Sequence, residues 1–471
     1  MSEREDQLHP YVPNTVRKVR EEMLSEIGVE AIEELYGTVP EDLIYRRELD
    51  IPDPLPSEYE LKKHVKSMIS NNETCEDYLN FLGGGTWQHY VPAICDEING
   101  RTEFLTAYAG EPYEDHGRFQ ASFEYSSMLG ELVDMDVVSV PTYDWSQSAA
   151  TSVKMASRMT ERSKVLVPDN ISPDRMSVTE NYCDPAVKVE KIAYEPETGK
   201  IDIEGLKSKM DRDVAAIYFE NPAYLGFIED RGKEISELAH AEGALSVVGV
   251  DPSSLGVLSP PPGYGADIVC GELQPLGIHM NYGGGLGGFV ATPDKEEFVM
   301  EYPLRLFGIT STEVDGEYGF GDVAYERTSF AKREKGKEFV GTMAALWGIT
   351  AGVYLALMGP KGMEELGKTI LQRSKYAREE INGIPSVSSP KFDSSHFKEF
   401  IVDFNETGMT VEEINRNLLE RKIFGGYDLS KSFPELGESA LFSITEVHSL
   451  EEINTLVEAL RNAVRSNGEG G

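Results

Sequence analysis

Six short apolar runs, spaced about twenty to thirty residues apart, constrain the fold of this chain more than any other feature. They read 164-KVLVP, 187-VKVEKI, 214-VAAIYF, 245-LSVVGV, 267-DIVCG and 287-GGFVAT. Runs that are apolar without alternation are strands of a sheet covered on both faces. Helical stretches separate several of them. The clearest, Glu234 to Glu242, closes on Gly243 in the position of a helix C-cap. Upstream, Tyr125, Met128, Leu129, Leu132 and Val133 fall on one helical face, and a second helix is predicted from Ser146 to Met159. The fold class is α/β with a mostly parallel sheet.

Three regions emerge from this pattern. Residues 1–75 read as a helical arm. Val16 to Ile27 and Val29 to Leu35 flank Gly28, then Pro52, Pro54 and Pro56 interrupt regular structure, and a third helix is predicted from Tyr59 to Ser70. An arm of this kind wraps a partner subunit or hangs loosely from its own. Residues 76–340 form the large α/β domain. Residues 341–471 supply a long helix, near Thr342 to Leu357, and a small α/β domain. There 398-KEFIVDF and 440-ALFSIT are strands, each followed by a helix with a capping box, Thr410 with Glu413 and Ser449 with Glu452.

Composition narrows the function. The chain carries 81 acidic and 44 basic side chains, a formal charge of −37. Nucleic acid and anionic membrane would both repel it, so neither is expected as a partner, and a salt-adapted surface is the expectation instead. Cys75, Cys95, Cys183 and Cys270 stand singly and read as buried thiols of a reducing compartment. The start has no apolar signal region and no run of eighteen apolar residues occurs, so a cytoplasmic location is expected. There is no phosphate-binding loop, no H-E-x-x-H and no G-x-S-x-G. The eight histidines show no metal-ligand spacing, and 283-GGGLGG lacks the context of a dinucleotide fingerprint.

A gap is more informative than these absences. The 61 residues between Lys233 and Lys295 hold no Lys or Arg, where 61 × 44/471, about six, would be expected. An α/β protein of the pyridoxal-phosphate type, with one large and one small domain, places its Schiff-base lysine in this stretch. Here the stretch reads 271-GELQPLGIHM, with Gln274 or His279 where the amine would sit. This chain has no lysine for covalent attachment there.

The same residues carry a family resemblance. The segments 9-HPYVPNT, 81-FLGGGTWQHYVPA, 104-FLTAY, 122-SFEYSSMLGELVDMDV, 226-GFIED, 240-HAEGAL and 425-GGYDL span nearly the whole chain. The most specific block is 251-DPSSLGVLSPPPGYGADIVCGELQPLGI. Together they resemble the P-protein family of the glycine cleavage system, in its two-subunit form, glycine dehydrogenase (decarboxylating). That family also lacks the lysine in this block. The resemblance implies pyridoxal-phosphate fold-type I, with the cofactor held by a lysine of a homologous second subunit. It implies decarboxylation of glycine and transfer of an aminomethyl group to a lipoyl H-protein. A heterodimer or heterotetramer is implied as well.

Three loops depart from the family pattern. The family's T-A-Y-T-P-Y-Q-P-E is 106-TAYAGEPYEDHGRF here, its R-E-K-A-T-S-N-I-C-T is 333-REKGKEFVGT, and its Y-D-G-A-T-A-L is 143-YDWSQSAA. In the first loop Tyr108, Glu111, Tyr113 and His116 offer hydroxyls, a carboxylate and an imidazole to an amine substrate or a partner's cofactor; a solvated interface loop is the plainer alternative. The segment 339-FVGTMAALWG resembles the Gly-Thr turn of cysteine-desulfurase-like enzymes. On that resemblance Gly341 and Thr342 reach the partner's cofactor phosphate, the alternative being a simple N-cap threonine. Tyr143, Asp144, Ser146 and Ser148 stand at a helix start, as phosphate cradle or as caps. Two further expectations stay open: a paralogue acting on another small amino acid, and a scaffold subunit without chemistry of its own.

Overall fold

The apolar runs form strands where their pattern places them. The computed structural model describes residues 11–47, 49–104, 117–283, 286–338 and 344–465, and the chain divides into two compact units after Asn72. In the second unit, β1 (Leu79–Asn80) comes first. The large sheet then takes β2 (Val137–Val138), β3 (Lys164–Pro168), β4 (Lys188–Ile192), β5 (Val214–Glu220), β6 (Leu245–Val250), β7 (Ile268–Glu272) and β8 (Gly288–Thr292). Its order is β2-β8-β7-β6-β5-β3-β4. Pairings from β4 to β7 are parallel, and β8 and β2 run antiparallel at the other edge.

Side chains alternate between two cores, as the pleat requires. Ile217 and Phe219 face a layer with Tyr125 and Leu129 of the helix Gly117–Val133 and Ala351 and Tyr354 of the helix Ala345–Asn382. Ala216 and Tyr218 face the helix Trp145–Thr160, through Ala149, Val153 and Ala156. Every residue of β5, β7 and β8 is buried, which is why their sequences carry no alternation.

Two elements differ from the sequence reading. A hairpin, β9 (Phe307–Ser311) with β10 (Tyr318–Asp322), was not foreseen, because its glycine-rich strands lack the apolar density of the others. The long helix reaches Asn382 rather than ending near Leu357. Gly359-Pro360 reads as a stop, and the backbone does break there, with Gly359 at φ 60. The helix resumes beyond the break, held by Met363, Leu366 and Ile370 in the sheet core.

The C-terminal layer is an antiparallel sheet of β11 (Glu399–Asp403), β13 (Tyr427–Asp428) and β14 (Ser439–Ser443), while β12 (Ile423–Phe424) pairs with β1 in parallel. Both capping boxes are present. Thr410 Oγ1 accepts from the Glu413 N–H at 3.2 Å, and Ser449 Oγ from the Glu452 N–H at 3.2 Å. Each glutamate returns the bond to its cap's N–H.

In the first unit, helices Arg17–Ile27 and Glu58–Ile69 form as expected, and a 3-10 turn, Ile32–Tyr36, replaces the middle helix. None of its described residues is buried; Met23, Ile27, Leu49, Ile51, Met68 and Ile69 are all exposed. No helix among the described residues is long and apolar enough to cross a membrane.

The charge of −37 sets the first prediction. Surface carboxylates repel one another over a screening length of about 30 Å at ~0.01 M salt and about 8 Å at ~0.15 M. The melting temperature should therefore rise as KCl is raised across that range. Thermal unfolding followed by circular dichroism checks this, and an unchanged or falling Tm would show that the acidic surface carries no net repulsion.

Candidate functional site

In open α/β sheets, ligand chemistry sits beyond the carboxyl ends of the parallel strands. Here three neighbouring strands each end on a buried acid: Glu220 closes β5, Asp251 follows β6 and Glu272 closes β7. Each carboxylate is answered inside the protein.

Glu220 pairs with Arg175, Nε to Oε1 at 2.6 Å, and accepts from Tyr218 Oη at 2.8 Å. The Arg175 guanidinium lies 4.0 Å from the centre of the Trp145 ring, a cation–π stack that fills the crevice from one side. Asp251 pairs with Lys398 Nζ at 2.8 Å and accepts from Ser253 Oγ at 2.8 Å. Lys398 arrives from the start of β11, over the Trp87 ring at 3.7 Å, and donates to His89 Nε2 at 2.9 Å. That bond leaves Nδ1 as the donor to Glu446, 2.8 Å away. Burial works against ionisation of Glu446, but the hydrogen bonds from His89 and from the Tyr90 N–H outweigh it and hold the carboxyl below the usual range.

Glu272 accepts four backbone N–H bonds, from Trp145, Leu273, Gln274 and Gly287 at 3.1–3.2 Å. Burial still pushes its carboxyl up to about 8, with Asp144 adding to the shift. Glu399, beside Lys398, accepts from the Gly84 N–H at 2.7 Å, and burial pushes it up to about 7. Gly226 lets the 223–227 turn dock on this strand: a Cβ there would lie 2.2 Å from the Glu399 carbonyl oxygen, and its φ is 91.

The space left between Trp87, Trp145, Arg175, Asp251, Lys398 and Glu399 is a cavity of about 20 Å³. That is room for about one water molecule. The crevice as it stands does not fit pyridoxal phosphate: the acid beyond β6 is neutralised by Lys398, Arg175 and the two indoles line a space of about one water, and Gln274 stands in the lysine stretch. Gln274 is buried as a clamp, donating to the carbonyls of Trp87 and Ile278 at 2.9 and 3.0 Å and accepting from the Trp87 N–H at 3.2 Å. His279 is exposed against Asp96 at 3.0 Å. At the helix start, Asp144 caps by accepting from the Gln147 N–H at 2.7 Å, and Ser148 Oγ donates to the Trp145 and Gly271 carbonyls, so Asp144 is a cap and Ser148 ties the helix to β7. Among the described residues, no group of three or more His, Cys, Asp or Glu is placed to hold a metal.

Tyr108, Glu111, Tyr113 and His116, and likewise Gly341 and Thr342, lie outside the described residues. The residues just beyond each of the two segments are described, and they converge. Phe119, near the start of one helix, and Ala345, at the start of the other, belong to one small cluster with Phe307 and Phe320 of the β9–β10 hairpin. The sequence reading missed Arg175, Glu220, Asp251 and Lys398. A signal for the acids was present: the apolar runs 214-VAAIYF, 245-LSVVGV and 267-DIVCG are each followed at once by Glu or Asp.

Comparison with known proteins supplies a family. The model described as glycine cleavage system P-protein matches residues 9–460. A protein of Staphylothermus marinus named probable glycine dehydrogenase (decarboxylating) subunit 1 is 38% identical, over 97% of this chain and 98% of its own. The Pyrococcus abyssi protein of the same name is 38% identical over 96% and 99%. Among solved structures, a glycine decarboxylase (P-protein) of the glycine cleavage system, in inhibitor-bound form, superposes with a TM-score of 0.85 at 32% identity, covering 95% of this chain and 98% of that one. A Burkholderia pseudomallei sphingosine-1-phosphate lyase, 13% identical with a TM-score of 0.64 over 89% of this chain and 93% of that one, shares the fold alone.

Proposed function

The chain belongs to the glycine cleavage system P-protein family, with the pyridoxal-phosphate fold-type I architecture, and on that premise we propose that it is the lysine-lacking subunit of a glycine decarboxylase. The observation that carries this reading is the filled crevice: an intact fold whose strand ends are closed by Arg175, Lys398 and two tryptophans rather than opened for a cofactor. The cofactor then belongs to a homologous second subunit, where it supplies carbanion stabilisation. This chain's part is to complete that subunit's site.

Tyr108, Glu111, Tyr113 and His116 orient the amine substrate and exclude water, and Gly341 with Thr342 offers a backbone N–H and a hydroxyl to the partner's cofactor phosphate. The convergence of Phe119 and Ala345 supports this, because the described residues that follow the two segments then stand together. The exposed apolar residues of the first unit support a partner that covers them. A lipoyl H-protein receives the aminomethyl group, in the cytoplasm, from a heterodimer or heterotetramer.

The test is co-purification with the sister subunit. Glycine decarboxylation and violet cofactor absorbance should require both chains, and Thr342→Ala and His116→Ala should each lower turnover by about tenfold or more with the complex intact. Violet absorbance from this chain alone would overturn the reading. Full turnover in every loop variant would leave a scaffold role. A second reading, another small amino acid as substrate, is favoured by one observation. In the altered 333–338 segment, Glu338 is turned inward to Arg158 and Thr151, both at 3.2 Å, so a replaced loop residue has become part of the packing. A panel of amino acids in the same assay separates the two.

A further inference from the structure

On the far side of the segment that delivers Lys398 lies a second cleft, of about 760 Å³. Phe397 lines both this cleft and the filled crevice. Its floor is apolar, built by Val257 and Leu258 after β6, Leu371 of the long helix and Phe392. Its charged lining runs against the rest of the molecule: Lys375, Arg378 and Lys391 face Glu379 and Asp393, 3 − 2 = +1, in a chain of −37.

Among these described cations, Arg378 is the one placed to bind. Lys375 approaches Glu379 at 3.7 Å, and Lys391 is paired with Asp403. Among the described residues Arg378 spends only its Nε, on the Ser374 carbonyl at 3.3 Å, and no carboxylate lies within ion-pair distance of it. Its half-buried guanidinium keeps the two-pronged face that suits a carboxylate or a phosphate.

Two further lining residues have polar atoms without partners among the described residues. His396 is 1% exposed; its Nδ1 donates to the Ser394 carbonyl at 2.8 Å, which leaves Nε2 as a lone-pair acceptor with no donor. Burial and the neighbouring Arg378 push its pKa down to about 3, so it stays neutral and Nε2 remains an acceptor. Ser389 is 4% exposed, and its Oγ has no hydrogen-bond partner either. Buried polar groups are ordinarily satisfied, so an acceptor and a hydroxyl left open in the lining of a single cleft are available to a molecule that enters it.

We propose that this cleft binds a small organic anion that carries an O–H or N–H donor beside its anionic group. Arg378 takes the anion, Ser389 adds a hydroxyl, His396 Nε2 accepts the donor, and the apolar floor takes the carbon skeleton. The site is separate from the chemistry proposed above and does not depend on it. An α-hydroxy carboxylate and a phosphomonoester share the required chemistry.

Calorimetric titration of the full chain with glycolate and with glycerol 3-phosphate tests it, with acetate (anion, no donor) and ethylene glycol (donor, no anion) as references. Saturable binding of one or both probes is expected, about tenfold tighter than acetate, and Arg378→Gln should weaken it by about tenfold. Ser389→Ala, a smaller change, should weaken it by about threefold while the chain stays folded. Whichever probe binds identifies the anion. Absence of saturable binding by both, acetate binding as tightly, or binding unmoved in Arg378→Gln would overturn the proposal.

Discussion

Lys398→Met should destabilise the chain by about 3–5 kcal/mol, because it breaks a buried ion pair from one side only. The Lys398 ammonium is 2.8 Å from Asp251, whose side chain is 5% exposed, and it also supplies the donor for His89 Nε2. With methionine there, the thioether still packs on the Trp87 ring, but among the described residues Asp251 keeps only the hydroxyl and N–H of Ser253. What costs is the stranded carboxylate and not the loss of the pair itself. Lys398→Met combined with Asp251→Asn should therefore recover most of the loss, a coupling that a double-mutant cycle reads directly. Urea midpoints of the four proteins measure it. A single variant within about 1 kcal/mol of the parent, or a double variant no better than the single, would mean that the crevice is wetter and less closed than its 20 Å³ cavity implies. Lys398 lies on the segment that ties the C-terminal layer to the strand ends, so hydrogen exchange should quicken first at β11 and β14.

Much of this site was within reach of the sequence, but the two halves were legible for different reasons. The large sheet announces itself because burial on both faces keeps the bodies of β5, β7 and β8 apolar, and the lysine gap spans β6, β7 and β8. The long helix was read short because Gly359-Pro360 looks like an end. Tertiary packing of Met363, Leu366 and Ile370 carries it on. The lysine that does stand at the crevice escaped for a related reason. Its partner Asp251 is 147 positions away (398 − 251), and nothing in 398-KEFIVDF distinguishes a buried ammonium from a solvated one at a strand start. Glu220, Asp251 and Glu272 were closer to legible, since an acid directly after an apolar strand is costly to bury without a partner. The identity of the partner is a property of the fold. Arg175, with both Trp145 and Glu220 to satisfy, could not be assigned from its helix alone.

Two of the buried acids set a pH dependence that runs opposite to the usual one. Burial raises Glu272 from 4.5 to about 8 and Glu399 from 4.5 to about 7. A carboxyl whose folded pKa lies above its unfolded one binds more protons in the native state. Its stabilising contribution is then complete below the unfolded pKa and is lost as pH rises through the folded value. At about 1.4 kcal/mol per unit, the shifts amount to roughly 5 and roughly 3 kcal/mol at most. The contribution of the pair should thus fall from about pH 4.5 to about pH 8; above about pH 6 the ordinary surface carboxylates are already ionised and the −37 changes little, so the decline in the window from there to about pH 8 belongs to the pair. Cys95, Cys183 and Cys270, whose thiols burial pushes up to about 11, 11 and 12, stay protonated across it. Glu399→Gln keeps an acceptor for the Gly84 N–H and removes one ionisation, so it should flatten the lower half of the decline. Glu272→Gln should flatten the upper half, at a cost where its amide meets the Trp145 N–H. Urea midpoints taken across the window decide the matter. Constant stability in the parent would mean that the four N–H donors around Glu272 outweigh its burial and keep it ionised throughout.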